Sequence, residues 1–105
     1  MWTPQLPKPK PLANDFDFAA ILPDWQVNLA TQELGRTFVF GDFKSAFQFM
    51  TLCAHFAEEL DHHPDWSNSW NKVSVNLSTH SMKALTELDI TMAKAMDQYA
   101  LQILA

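Results

Sequence analysis

Between Glu58 and Pro64 the chain reads Glu-Glu-Leu-Asp-His-His-Pro, and three of its four histidines, His55, His62 and His63, lie in or just before that stretch. The fourth, His80, follows Ser78 and Thr79 at the end of a segment of alternating polarity. Imidazole is the side chain whose ordinary pKa lies nearest neutrality. Two imidazoles with a carboxylate one helical turn back are suited to proton transfer at neutral pH. The same residues also have a purely structural use, because histidines at a helix C-terminus face the negative end of the helix dipole. Glu58 and His62 are four apart and share one helix face, so Glu58 is expected to orient or charge the His62 ring. His55 and Glu59 form a second such pair, which is assigned to a solvated face because nothing downstream answers it.

These residues need a helix that stops on cue. From Phe43 to Asp61 apolar residues recur at helical spacing in two neighbouring sectors: Phe43, Phe47, Met50, Ala54 and Ala57, and Phe49, Leu52, Phe56 and Leu60. Asp42 can cap its start, and Pro64 disfavours helical geometry at His63 and so sets its end. So wide an apolar arc needs cover on more than one side. Most of these Phe and Met residues are expected in the core, with Cys53 as a small buried hydrophobe among them.

Strands must support that helix. Trp25 to Ala30 alternates in polarity, Thr31 to Gly35 supplies a turn, and Arg36 to Phe40 returns, which together predict an antiparallel hairpin. Trp70 to Leu77 is the clearest strand, with Val73, Val75 and Leu77 on one face; Asp65 to Ser69 is not separable from a connector. A short helix over Phe16 to Leu22, capped by Asn14 or Asp15, precedes the hairpin. Thr86-Glu87-Leu88-Asp89 has the form of a capping box, opening a last helix with the stripe Leu88, Met92, Ala95, Tyr99 and Ile103. The order α-β-β-α-β-α predicts an α+β domain. A narrow sheet with exposed edges and the wide apolar arc both argue for a homo-oligomer.

Composition removes several classes of function. At 105 residues the chain has the size of one domain, and 48% hydrophobic with 18% charged residues excludes a disordered one. Two glycines leave no Gly-rich phosphate loop, and one cysteine leaves no intramolecular disulfide or thiolate metal motif. A net charge of −5 argues against nucleic acid as the main partner. No apolar run could span a bilayer, so a soluble, intracellular protein with no membrane partner is expected. Prolines at 4, 7, 9 and 11 predict an extended, Pro-rich N-terminal arm over residues 1–13, followed by a single domain over residues 14–105.

The pattern Glu58-x-x-x-His62-His63-Pro64, an aromatic at Trp70, Asn71-Lys72-Val73, then Ser78-Thr79-His80 and Asp89, resembles the pterin-4a-carbinolamine dehydratase family. In animals that family is also known as a dimerisation cofactor of a homeodomain transcription factor. The similarity runs from about Trp25 to Gln98 and includes Phe43-x-x-Ala46-Phe47-x-Phe49-Met50. The resemblance implies a four-stranded antiparallel sheet with three helices packed on one face, and a homotetramer built as a dimer of dimers. It implies dehydration of 4a-hydroxytetrahydropterin to quinonoid dihydropterin, a step in tetrahydrobiopterin recycling, in the cytoplasm and, with a transcription-factor partner, also in the nucleus. His62, His63 and His80 match the family's essential histidines, Glu58 its motif acid and Asp89 its aspartate near the last helix. Two departures stand out: Ala84 replaces a glycine of many members, and Ser74 replaces a histidine of some.

Loss of water needs one proton delivered to the leaving hydroxyl and another removed from a ring nitrogen, and both steps suit imidazoles. His63 and His80 are expected to flank the reacting edge as acid and base. Backbone around Ser78 and Thr79 would read the pterin's amide-like edge, and Trp66 or Trp70 would cover its plane, with packing in the core as the alternative use of either ring. No cofactor is expected. A metal site built from His62, His63, His80 and Glu58 or Asp89 is the weaker rival, since adjacent histidines diverge from a helix end. A pure interaction module is the other alternative.

Overall fold

The computed structural model describes residues 9–104, so the prolines at 4 and 7 of the expected arm lie outside the described residues. The elements are α1 (Phe18–Ile21), β1 (Gln26–Asn28), β2 (Glu33–Val39), α2 (Phe43–Leu60), β3 (Asp65–Ser69), β4 (Lys72–Leu77) and α3 (Glu87–Leu104), with one 3₁₀ turn at His80–Met82. The four strands are antiparallel in the order β1-β2-β4-β3. This is the expected α+β architecture, and it includes the fourth strand that the sequence pattern left merged with a connector.

Period-two burial explains why the sheet holds its helices on one side. Leu34 and Phe38 of β2 and Val73, Val75 and Leu77 of β4 are buried, while their neighbours Thr37, Lys72, Ser74 and Asn76 are exposed. A one-residue slip would turn the whole set outward, so the register is strongly specified. The buried stripe of α2 is Ala46, Phe49, Cys53 and Ala57, which cuts across the two sectors read from the sequence. Phe49 is completely buried and packs its ring 4.6 Å from Phe38 and 5.0 Å from Phe40. Truncating it to alanine is expected to cost about 3–5 kcal/mol. Burial also pushes the Cys53 thiol up to about 12, which makes it an inert core residue.

Helix α3 buries Ile90, Met92, Ala93, Met96 and Ala100, a stripe rotated from the expected one, of which only Met92 was in the pattern. Arg36 of β2 donates to Asp97 at 2.6 Å, and the Trp25 indole N–H donates to the same carboxylate oxygen at 2.8 Å. This link pins the start of the hairpin to α3.

The ends of several elements differ from expectation for local reasons. Asp17, not Asn14 or Asp15, caps α1 by accepting from the Ala20 N–H. Strand β1 stops early because the Asn28 side chain accepts from the N–H groups of Ala30 and Thr31 and folds the chain into a turn. Leu29 is therefore 63% exposed and does not share the buried face of Trp25. Trp70 does not begin a strand. It sits in the two-residue turn between β3 and β4 at φ 49°, largely exposed. Phe43 and Phe47 lie against each other on the outer side of α2 and are about half exposed, at 49% and 54%. The wide apolar arc is thus only partly covered within one chain. No helix among the described residues is long and apolar enough to cross a membrane.

Candidate active site

The end of α2 decides where the two adjacent imidazoles go. Asp61 adopts the left-handed conformation, at φ 52° and ψ 44°. Its N–H bonds to the Glu58 carbonyl at 3.3 Å, and the His62 N–H reaches back to the Ala57 carbonyl at 3.1 Å. This is the pair of bonds of a Schellman stop. The left-handed state costs an L-residue about 1–2 kcal/mol, which aspartate tolerates better than most. Beyond the stop the chain turns sharply, so His62 is buried while the His63 side chain is 57% exposed.

The start of α3 supplies His62 with its partner. Thr86 caps the helix: its hydroxyl accepts from the Leu88 N–H at 3.2 Å, and its own N–H donates to Asp89 Oδ2 at 2.9 Å. Of the capping box read from the sequence, the acidic half is formed by Asp89, while the Thr86 hydroxyl caps the Leu88 N–H in place of the Asp89 N–H. Asp89 is completely buried, and a carboxylate in that position needs donors on both oxygens. His62 Nε2 lies 2.7 Å from Oδ1, and the Thr79 hydroxyl donates to Oδ2 at 2.8 Å.

Proton counting orients the rest of this network. Thr79 has one hydroxyl proton and gives it to Asp89. The 2.7 Å contact between the hydroxyls of Thr79 and Thr86 must then carry the proton of Thr86. With Asp89 ionised, His62 carries its proton on Nε2, so in the neutral ring Nδ1 is left as an acceptor. Among the described residues, no buried side-chain nitrogen or oxygen lacks a partner.

A cleft of about 610 Å³ opens over this network, and His62, His63, Ser78, Thr79 and His80 all line it. Those five sequence candidates are brought together. Asp89 and Glu58 stand behind them as partners of His62 and His63 respectively. The Glu58 pairing corrects the sequence reading: Glu58 meets His63 at 2.6 Å rather than His62, because the left-handed Asp61 swings His62 away from the helix face that Glu58 occupies. Ser78 also has a structural contact, donating its hydroxyl to the Gln32 carbonyl at 2.7 Å.

Trp66 is not brought to the cleft. It pairs with Val75 across β3 and β4 and packs on the helix-facing side of the sheet against the core, so its ring is used in packing. Trp70 is at the other end of that hairpin from Asp65, and it too is absent from the cleft lining. His55 and Glu59 are both exposed, on the solvated face assigned to them. Beyond His80, the positive φ falls on Lys83, at 50°, and not on Ala84, so the Gly-to-Ala departure meets no steric conflict.

The cleft contains residues that sequence reasoning missed: Pro9, Leu60, Asp61, Ser81, Glu87 and Leu88 also line it. Nothing local announces Pro9, which arrives through a tertiary contact.

Comparison with known proteins gives this geometry its relatives. The model of the pterin 4 alpha carbinolamine dehydratase family matches residues 11–99. The chain belongs to that family. A Bordetella avium protein bearing the family's name is 48% identical over 81 residues, which is 77% of this chain and 75% of that protein. A second, from Rhizorhabdus wittichii, is 46% identical over 79 residues, covering 75% of this chain and 81% of the other. The crystal structure of a Brucella melitensis protein, described as a transcriptional coactivator/pterin dehydratase, superposes with a TM-score of 0.78 at 41% identity. It covers 87% of this chain and 99% of its own. The membership expected from the His-His-Pro pattern is therefore correct, and the family's enzymes are hydro-lyases.

Proposed function

We propose that this protein removes water from 4a-hydroxytetrahydropterin to give quinonoid dihydropterin, by histidine general acid–base catalysis, as part of tetrahydrobiopterin recycling in the cytoplasm. The observation that carries the reading is that the adjacent His62 and His63 and the distant His80 line one cleft in three different settings. His62 is held by a buried carboxylate, His63 by an exposed one, and His80 is exposed at the rim.

The reaction breaks one C–O bond at a tetrahedral ring carbon. A proton reaches the departing hydroxyl, which leaves as water, and a ring nitrogen gives up its proton as the C=N bond forms. In our reading His63 and His80 are the acid and base, in an order we leave open. His62, with Nε2 committed to Asp89, presents Nδ1 as a fixed acceptor. Glu58 holds the His63 ring, and with the Thr79 N–H and C=O already paired to Ala84 and Met82, recognition of the pterin's amide-like edge falls to the neighbouring Ser78 and His80. Such groups contribute about 10²–10⁴-fold, which is a sufficient acceleration for an alcohol of this kind that already loses water readily. The test is to follow 4a-hydroxytetrahydropterin decay with and without the protein. A decay rate that does not change at micromolar protein would reject the reading.

The exposed Phe43 and Phe47 favour one addition, a homotetramer assembled as a dimer of dimers. Apolar surface of this kind is usually covered by a partner. Light scattering that gives a stable monomer at micromolar concentration would remove that claim. The Brucella melitensis protein's description as a coactivator supports a second reading, in which this chain also acts as a dimerisation cofactor for a transcription factor.

A further inference from the structure

We infer that the N-terminal segment from Pro9 to Leu12 is a working wall of the histidine cleft and sets which ring substituent the substrate can carry. The inference rests on the dehydratase reading above. The segment is tied down at three points: the Lys10 carbonyl accepts from the Glu87 N–H at 3.1 Å, Pro11 bridges to Thr86, and Leu12 packs against the core. The first of these contacts satisfies one of the orphan N–H groups at the start of α3. Thr86, which the segment crosses, is the residue that also holds Asp89.

The chemistry of the segment suits a wall. Proline at 9 and 11 fixes φ near −65° and offers no N–H, so the chain is stiff and donates nothing there. The cleft, at about 610 Å³, falls in the range that takes a drug-sized ligand and exceeds what two fused six-membered rings require. The reacting carbon has to lie within hydrogen-bond reach of the imidazoles. Whatever projects from the ring beyond that point meets the rest of the lining, whose apolar part among the described residues is Pro9, Leu60 and Leu88. An apolar wall discriminates by size, with a difference of one methylene worth roughly 10–200-fold in kcat/KM at most. Pro9 is the member of that wall contributed from outside the α2 and α3 helices, so it can change without disturbing either histidine.

The test uses the full chain with Pro9→Gly and Pro9→Trp. Each variant is assayed on two 4a-hydroxytetrahydropterins, one bearing a methyl group and one a polar three-carbon chain. Binding of the matching dihydropterins is followed in parallel by fluorescence. Opening the wall with glycine and narrowing it with tryptophan should move the ratio of the two kcat/KM values in opposite directions, by about fivefold or more. The change should appear in KM and in binding, with kcat and the unfolding midpoint nearly constant. If both variants keep the wild-type ratio within about twofold, the wall has no part in selection and the inference fails while the dehydratase reading stands. A fall in kcat at constant ratio also overturns it, since the segment would then act through Thr86 on the network. If the wild type neither accelerates nor binds either pterin, the functional reading fails first and takes this inference with it.

Discussion

His62 and Asp89 meet across 27 residues of sequence through a 2.7 Å hydrogen bond whose carboxylate is wholly buried, whereas His63, the next residue, meets Glu58 at 2.6 Å in solvent. The two pairs have nearly the same geometry and very different energetics. An exposed ion pair contributes about 0–1 kcal/mol. Removing Asp89 leaves the buried His62 N–H, the Thr79 hydroxyl and the Thr86 N–H without their acceptor, at about 1–3 kcal/mol each. Asp89→Ala should therefore lower the urea midpoint severely, and Glu58→Ala should barely move it. Equal effects from the two substitutions would contradict the burial assigned to Asp89.

Turnover should separate the histidines in a different order. His63→Ala and His80→Ala are each expected to lose roughly 10–10³-fold in kcat with the fold intact. The double variant should lose much less than the product, because groups acting as one unit are not additive. His55→Ala, on the exposed face of α2, should keep nearly the full rate. If neutral and protonated imidazoles are both needed, the rate should be bell-shaped in pH around neutrality. A rate that is flat between about pH 5 and 9 would count against the scheme.

Thr86 offers a test of the directed proton chain. Thr86→Val keeps the backbone N–H to Asp89 but removes the hydroxyl that serves Thr79 and the Leu88 N–H. Losing the hydroxyl contact to Thr79 and leaving the half-buried Leu88 N–H without its cap should cost about 1–3 kcal/mol. Thr86→Ser restores the hydroxyl and should recover most of that loss. If serine and valine behave alike by thermal unfolding, the chain of hydroxyls contributes nothing.

Asp42 carries a stability that depends on pH. The backbone N–H of Ser45, followed by weaker help from the Ser45 side chain and Lys44, holds this carboxyl below its ordinary value of 3.8. A folded-state value below the unfolded one means that the ionised form is favoured by folding. The contribution is then fully present above the unfolded value and fades as pH falls through the folded one. Asp42→Ala should accordingly lower the unfolding midpoint at pH 7, and the gap to wild type should close in acid below 3.8. A gap that stays constant down to pH 2.5 would show that the charge on this cap is irrelevant.

What could be read from the chain was what depends on neighbours in sequence. The long α2 with its Asp42 cap, the alternation of β4 and the capping box at Thr86–Asp89 all rest on contacts within a few residues. The three cleft histidines were legible because their types are rare and clustered. The misses involve long-range geometry. Glu58 at four residues before His62 is a sound pairing on an unbroken helix, and it fails because the helix has already stopped at Asp61. Trp66 gave no sign of its direction, since strand β3 alternates only weakly in hydrophobicity. Pro9 entered the cleft because the Glu87 N–H donates to the Lys10 carbonyl, a contact that no local pattern encodes.

The left-handed residue Asp61 makes the length of its loop as critical as its composition. Surface connections ordinarily absorb insertions and deletions without harm. Here the four residues from Asp61 to Pro64 hand one imidazole to the interior and the next to solvent. One residue more would advance the register, turn His62 out of reach of Asp89 and offer a different side chain to a buried carboxylate. The segment should thus tolerate glycine or asparagine at Asp61 but no change of length, so that this exposed corner behaves, toward insertion, like the centre of a core.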